Sequence, residues 1–162
     1  MQFHKESIQL LTRVMAKRGW IELPARGTSM YPFIKRGDIC RFVLTEAGHV
    51  KKGDILLFQA SSGKLVAHRF CRLVRRNKQL YFLCKGDANL AHDEVIAMDQ
   101  MIGKMTLLER NGRIIHATDM TAYVWGQIVL TIPVTSRLLR LYLSIFKRDK
   151  KFLEAVDSEL VR

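Results

Sequence analysis

The sequence predicts a mainly β fold of the α+β type: an antiparallel β body with one helix before it and a helical region after it. Three observations predict this. From about residue 20 to residue 116, short apolar runs are bounded by Gly, Asp, Asn and Lys, without the βαβ rhythm of a parallel sheet. Before them, apolar residues recur at helical spacing. After them comes a long uncharged stretch that turns basic. The expected organisation is therefore a helix over residues 1–20, a β domain over 21–118, and an apolar and basic helical region over 119–162. A chain of 162 residues with 48% apolar and 26% charged residues is long enough for a sizeable core and is not disordered in composition.

Residues 5–18 read as an amphipathic helix. Ile8, Leu11 and Met15 share a face, Leu10 and Val14 lie beside it, and Lys5, Glu6, Arg13 and Lys17 point outward. Gly19 is placed to end it as the first residue beyond the helix. Strands are expected over residues 39–44, 54–59, 65–74, 80–84, 101–108 and 114–117. Turn signals separate several of them: Ser61-Ser62-Gly63, Arg76-Asn77-Lys78 and Asn111-Gly112, the last a two-residue hairpin signal. Gly37-Asp38, Gly53-Asp54 and Gly86-Asp87 each close a turn beside a strand.

Residues 122–136 carry no charge, but fifteen residues fall short of the roughly 20 a spanning helix needs, and Pro133 lies among them. Arg137 and Arg140 follow, then Lys147, Arg148, Lys150 and Lys151. The expectation is one or two helices lying on the core, on a membrane surface or on a partner, with integral anchoring the less favoured alternative. The formal charge of +12 calls for an anionic partner, a membrane surface or nucleic acid. Cys40, Cys71 and Cys84 form no C-x-x-C pair and read as small buried hydrophobes. The first thirty residues hold no long apolar run, so no cleavable signal is expected. The five histidines are scattered singly without ligand spacing, and neither a metal nor another cofactor is expected.

The stretch with chemical promise is Gly27-Thr28-Ser29-Met30-Tyr31-Pro32, followed by Gly37-Asp38. Pro32 fixes its own φ and keeps the segment from continuing as a helix. A serine hydroxyl becomes a nucleophile when a base takes its proton. His68, in Val66-Ala67-His68-Arg69-Phe70, is one candidate base, since imidazole is suited to proton uptake at neutral pH. Strand alternation places it with Val66 and Phe70, which suits a partly desolvated base and equally a core histidine. A carboxylate would then hold the imidazole. Asp87, in Lys85-Gly86-Asp87-Ala88-Asn89, and Asp93 are candidates, although loop aspartates commonly only make turns. Lys85 is the alternative base.

Five short boxes occur in order: 27–32 with Gly37-Asp38, Gly53-Asp54-Ile55 with Phe58, 66–70, 85–89 with Asp93, and Ile102-Gly103-Lys104. Over about residues 25–107 they resemble the signal peptidase superfamily, peptidases of the S24/S26 type. The histidine before Arg69, where the bacterial type carries lysine, is similar to the SipW-like, endoplasmic-reticulum-type branch. That resemblance implies a serine endopeptidase with Ser29 as nucleophile, His68 as general base and Asp87 and Asp93 as supporting carboxylates. It also implies that the Ser29 N–H, with the Thr28 hydroxyl as a second donor, binds the oxyanion, while Met30 and Pro32 shape the wall beside the nucleophile. The expected partner is a precursor, leader or signal peptide. Residues 1–20 are too polar for the membrane segment that usually precedes the serine box, so the expected setting is the cytoplasm or the cytoplasmic face of the membrane. A catalytically inactive peptide-binding scaffold of the same fold is the alternative. A DNA-linked regulator is disfavoured, because about 20 residues before the box leave no room for a helix-turn-helix, and nucleic acid is not an expected partner.

Overall fold

Among the described residues every strand is antiparallel to its neighbours, and one long strand ties the sheet together. The structure is a computed structural model, and the residues it describes are 5–145, with side chains from Ile8 onward. The basic residues expected after position 146 lie outside the described residues, as do the side chains of Lys5 and Glu6. The chain runs α1 (Lys5–Arg18), β1 (Trp20–Pro24), β2 (Ile39–Val43), β3 (Ile55–Gln59), β4 (Leu65–Arg76), β5 (Gln79–Lys85), β6 (Ile96–Ala97), β7 (Met101–Arg110), β8 (Arg113–His116) and α2 (Met120–Thr131). A further helix, α3, spans Pro133–Ile145. The sheet order is β1-β2-β7-β3-β4-β5-β6, with β8 also on β7. One edge of β7 pairs with β2 through residues 104–109, and the other takes β3 at 101–104 and β8 at 107–110.

Local chemistry explains the punctuation. Gly19 adopts φ +78° and donates its N–H to the Met15 carbonyl at 2.8 Å, ending α1. Asn111 and Gly112 both have positive φ, which makes the two-residue turn between β7 and β8. Asn77 and Lys78 do the same between β4 and β5. Two of the Gly-Asp pairs share one construction. Gly37 (φ +94°) and Gly53 (φ +99°) turn the chain, and the carboxylates of Asp38 and Asp54 accept the N–H three residues back, from Lys35 and Lys51.

β3 is buried on both faces. Ile55 and Leu57 join one apolar cluster with Met15, Met30, Phe42, Met105 and Leu108, while Leu56 and Phe58 join the other with Phe70, Phe82 and Ile96. α1 closes the first layer with Met15. A Cβ on Gly103 would stand 2.6 Å from the Met15 methyl and 2.6 Å from the Val43 carbonyl, so glycine there permits helix and strands to meet. Leu10, expected beside the apolar face of α1, is 63% exposed.

The strand boundaries differ from expectation mainly at the margins. β1 went unread because Trp20–Pro24 is short, carries Glu22 and ends in proline, a residue tolerated at a sheet edge. β6 has only two residues and offers no period to read. The C-terminal region is two helices meeting at 101°, and among the described residues no single helix is long and apolar enough to cross a membrane. Pro133 begins α3, where its missing N–H is harmless.

Candidate active site

The serine loop, residues 25–38, is tied closed at its base. Ala25 donates its N–H to the Asp38 carbonyl at 2.8 Å, and Gly37 donates to the Ala25 carbonyl at 2.9 Å. The Asp38 carboxylate, 3% exposed, receives Arg110 Nε at 2.8 Å and Nη2 at 2.6 Å, and Arg110 Nη2 also reaches the Phe33 carbonyl at 2.7 Å. Met30 and Ile34 are buried in the core and anchor the loop from within. The Tyr31–Pro32 peptide bond inside it is cis. Burial opposes the charge on Asp38, yet the Arg110 and Lys35 hydrogen bonds hold its carboxyl below the usual carboxylate value. A depressed folded-state value contributes stability above the unfolded carboxylate range, lost as the pH falls through the folded value. Asp38→Asn should therefore lower stability at neutral pH by about 1–3 kcal/mol and flatten the acid limb of a urea-midpoint profile against pH.

β4 brings the imidazole to this loop. His68 is 7% exposed, and Phe58 presents its ring edge-on to it at 6.2 Å. Its Nε2 lies 2.9 Å from Ser29 Oγ and its Nδ1 lies 2.6 Å from Asp93 Oδ2. A carboxylate only accepts, so Nδ1 carries the proton on this face, leaving Nε2 to accept from the Ser29 hydroxyl. Asp93 is itself fixed by its N–H, which donates to the Cys84 carbonyl at 2.9 Å. Ser29, His68 and Asp93 thus form one continuous hydrogen-bonded line.

Asp87 corrects an expectation. It is fully buried and its carboxylate receives Arg69 Nε at 2.8 Å, Arg69 Nη2 at 2.7 Å and the Trp125 indole N–H at 2.8 Å. It faces Arg69 rather than His68, because successive residues of β4 point to opposite faces. Arg69 also donates Nη1 to the Gly53 carbonyl at 2.9 Å and lies 5.6 Å from the centre of the Phe33 ring. Lys85 is the second correction. Its Nζ donates to Ser136 Oγ at 3.0 Å, and that hydroxyl donates to the Asp87 carbonyl at 2.9 Å, so the ammonium is engaged by α3 and not by Ser29.

The loop containing Gly86 and Ala88 serves the nucleophile through its backbone. Ala88 donates its N–H to the Ser29 carbonyl at 2.8 Å. A Cβ on Gly86 would stand 2.9 Å from that same carbonyl and 2.8 Å from the Asn89 amide, so only glycine permits the approach. On the open side, a Cβ at Gly27 would stand 4.0 Å from both the Ser29 N and Oγ. Among the described residues, neither the Ser29 N–H nor the Thr28 hydroxyl donates a hydrogen bond within the protein.

Two clefts meet at His68. One, about 430 Å³, runs from Gly27, Ser29 and Met30 to Leu57, Leu65 and Ala67 and is mostly apolar. The other, about 250 Å³, passes Ser61, Ser62, Asp93 and Glu94. Met30 lines the first cleft as expected. Pro32 and Thr28, expected at the wall and as an oxyanion donor, line neither. The three thiols are free and buried. Burial pushes Cys40 up to about 12 and raises Cys71 and Cys84 as well, so these thiols are inert. Among the described residues no group of three or more His, Cys, Asp or Glu side chains could hold a metal ion.

Arg69, Trp125 and Ser136, which support the site from behind, were not foreseen. A lone indole and a lone serine in an uncharged run carry no sequence signal. The chain matches no known protein-family profile, and no curated protein matches it.

Proposed function

We propose that this protein is a serine endopeptidase of the signal-peptidase type, cleaving a precursor, leader or signal peptide. The observation that carries the reading is the line from Ser29 Oγ through the His68 imidazole to the Asp93 carboxylate. His68 Nε2 takes the hydroxyl proton as Oγ attacks the scissile carbonyl. Asp93 keeps the imidazole in the needed tautomer and stabilises the imidazolium. The uncommitted Ser29 N–H is available to the oxyanion. His68 then gives the proton to the leaving amine, and water releases the acyl group from Ser29 by the same steps in reverse.

The surroundings suit an extended peptide. β4 pairs with β5 only from Arg69 onward, so residues 65–68 keep one free edge beside the apolar cleft. β1, whose end leads into the serine loop, is an outer strand of the sheet. A peptide adding to these edges would present backbone to the sheet and apolar side chains to the cleft. Buried free thiols fit a reducing compartment, and this reading sets the enzyme in the cytoplasm or peripherally at the cytoplasmic face of the membrane.

The test is mass-spectrometric detection of new termini when the full chain is incubated with candidate precursor peptides. Wild type should produce them and Ser29→Ala should not. Equal cleavage by both would sink the peptidase reading, and binding by both without cleavage would favour a peptide-binding scaffold.

A further inference from the structure

α2 and α3 reverse the usual arrangement of a surface helix, which hides apolar residues and shows charge. Val129 is buried on the inner side of α2, but several of the contacts these helices make with the body are small or polar. Gly126 lies against the Arg69 guanidinium, Trp125 donates to Asp87, and Ser136 bridges Lys85 and the Asp87 carbonyl. Their outer side is apolar. Tyr123, Val124, Ile132, Val134, Leu138 and Leu141 are between 46% and 61% exposed. On α3, Val134, Leu138, Leu141 and Ile145 recur at helical spacing and form one stripe, with Arg137 on its flank. A contiguous apolar surface of this kind marks an interaction site, unlike apolar residues scattered singly.

Charge identifies the partner. No acidic residue occurs between Asp119 and Asp149, whereas Arg137, Arg140, Lys147 and Arg148 do. The whole chain carries a formal charge of +12. A second copy would set like charges against each other. An apolar surface whose own two helices carry Arg137 and Arg140 and no acid matches a bilayer containing anionic lipid. The 101° bend and the shortness of each helix suit lying in the interface rather than crossing it.

We infer that α2 and α3 form an in-plane docking surface for an anionic lipid bilayer, keyed on its inner side to the loop that holds the nucleophile. That keying is direct: Tyr142 of α3 stacks on Tyr31, two residues beyond Ser29, with ring centres 5.8 Å apart. Docking would thus fix the site relative to the membrane. Lipid binding requires no cleavage, so Ser29→Ala protein serves equally well for the test.

The experiment is flotation of the full chain with phosphatidylcholine vesicles, with and without phosphatidylglycerol. The protein should float with the phosphatidylglycerol vesicles and release as salt is raised. Arg137→Gln and Arg140→Gln should each weaken binding roughly fivefold. Leu138→Asn with Leu141→Asn should weaken it by more than about tenfold, with circular dichroism unchanged because both positions are exposed. Carbonate at high pH should strip the protein from the vesicles. Absence of flotation, or flotation unaffected by the leucine substitutions, would overturn the inference. Resistance to carbonate would overturn the in-plane arrangement. A dimer dissolved by the leucine substitutions, without lipid binding, would assign the surface to a second copy instead.

Discussion

His68→Ala should lower kcat by about 10²–10⁴-fold, the usual contribution of a positioned general base. Asp93→Asn should fall in the same range, because an amide can donate to Nδ1 and leave the proton on the wrong nitrogen. Lys85→Ala should keep activity of the wild-type order, since its ammonium bonds Ser136 and not Ser29. The assignment of roles is exposed to contradiction here. Loss of activity in Lys85→Ala, with the fold intact and His68→Ala still active, would move the base to the lysine.

Asp87→Ala should unfold the protein or nearly so. The Arg69–Asp87 pair is buried, with side chains 4% and 0% exposed. Removing the carboxylate strands a guanidinium away from water, at about 3–5 kcal/mol against a total stability of about 5–15 kcal/mol. The same substitution frees the Trp125 indole and loosens α2. A purely catalytic Asp87 would give a folded, inactive protein with an unchanged urea midpoint; a large drop in the midpoint is expected instead. Replacing both partners, as Arg69→Met with Asp87→Leu, should recover part of the loss, because no lone charge then remains.

These two expectations mark where reading the sequence stopped. α1 was legible to its ends, because helical spacing over residues 5–18 and a glycine at 19 are strong local signals. Ser29 and His68 were legible through their boxes. Which of two nearby carboxylates meets the imidazole was not. Asp87 and Asp93 lie six residues apart in one loop, and the choice is made over long range. Asp93 is held by the Cys84 carbonyl at the end of β5, while Asp87 turns to an arginine adjacent to the histidine but on the other face of β4. The contribution of α2 was equally hidden. Trp125 and Gly126 matter only because tertiary packing sets them against Asp87 and Arg69. The Gly86 position teaches the same lesson, since its need for glycine comes from the Ser29 carbonyl 57 residues earlier in the chain and not from its own backbone angles.

The most direct measurement is covalent. Incubation of the full chain with an activated peptide ester, quenched in acid and mapped by mass spectrometry, should show one acyl adduct on the fragment containing Ser29. The adduct should be absent from Ser29→Ala and slow to form in His68→Ala. An adduct on another residue, or none while peptide cleavage proceeds, would contradict Ser29 as the nucleophile.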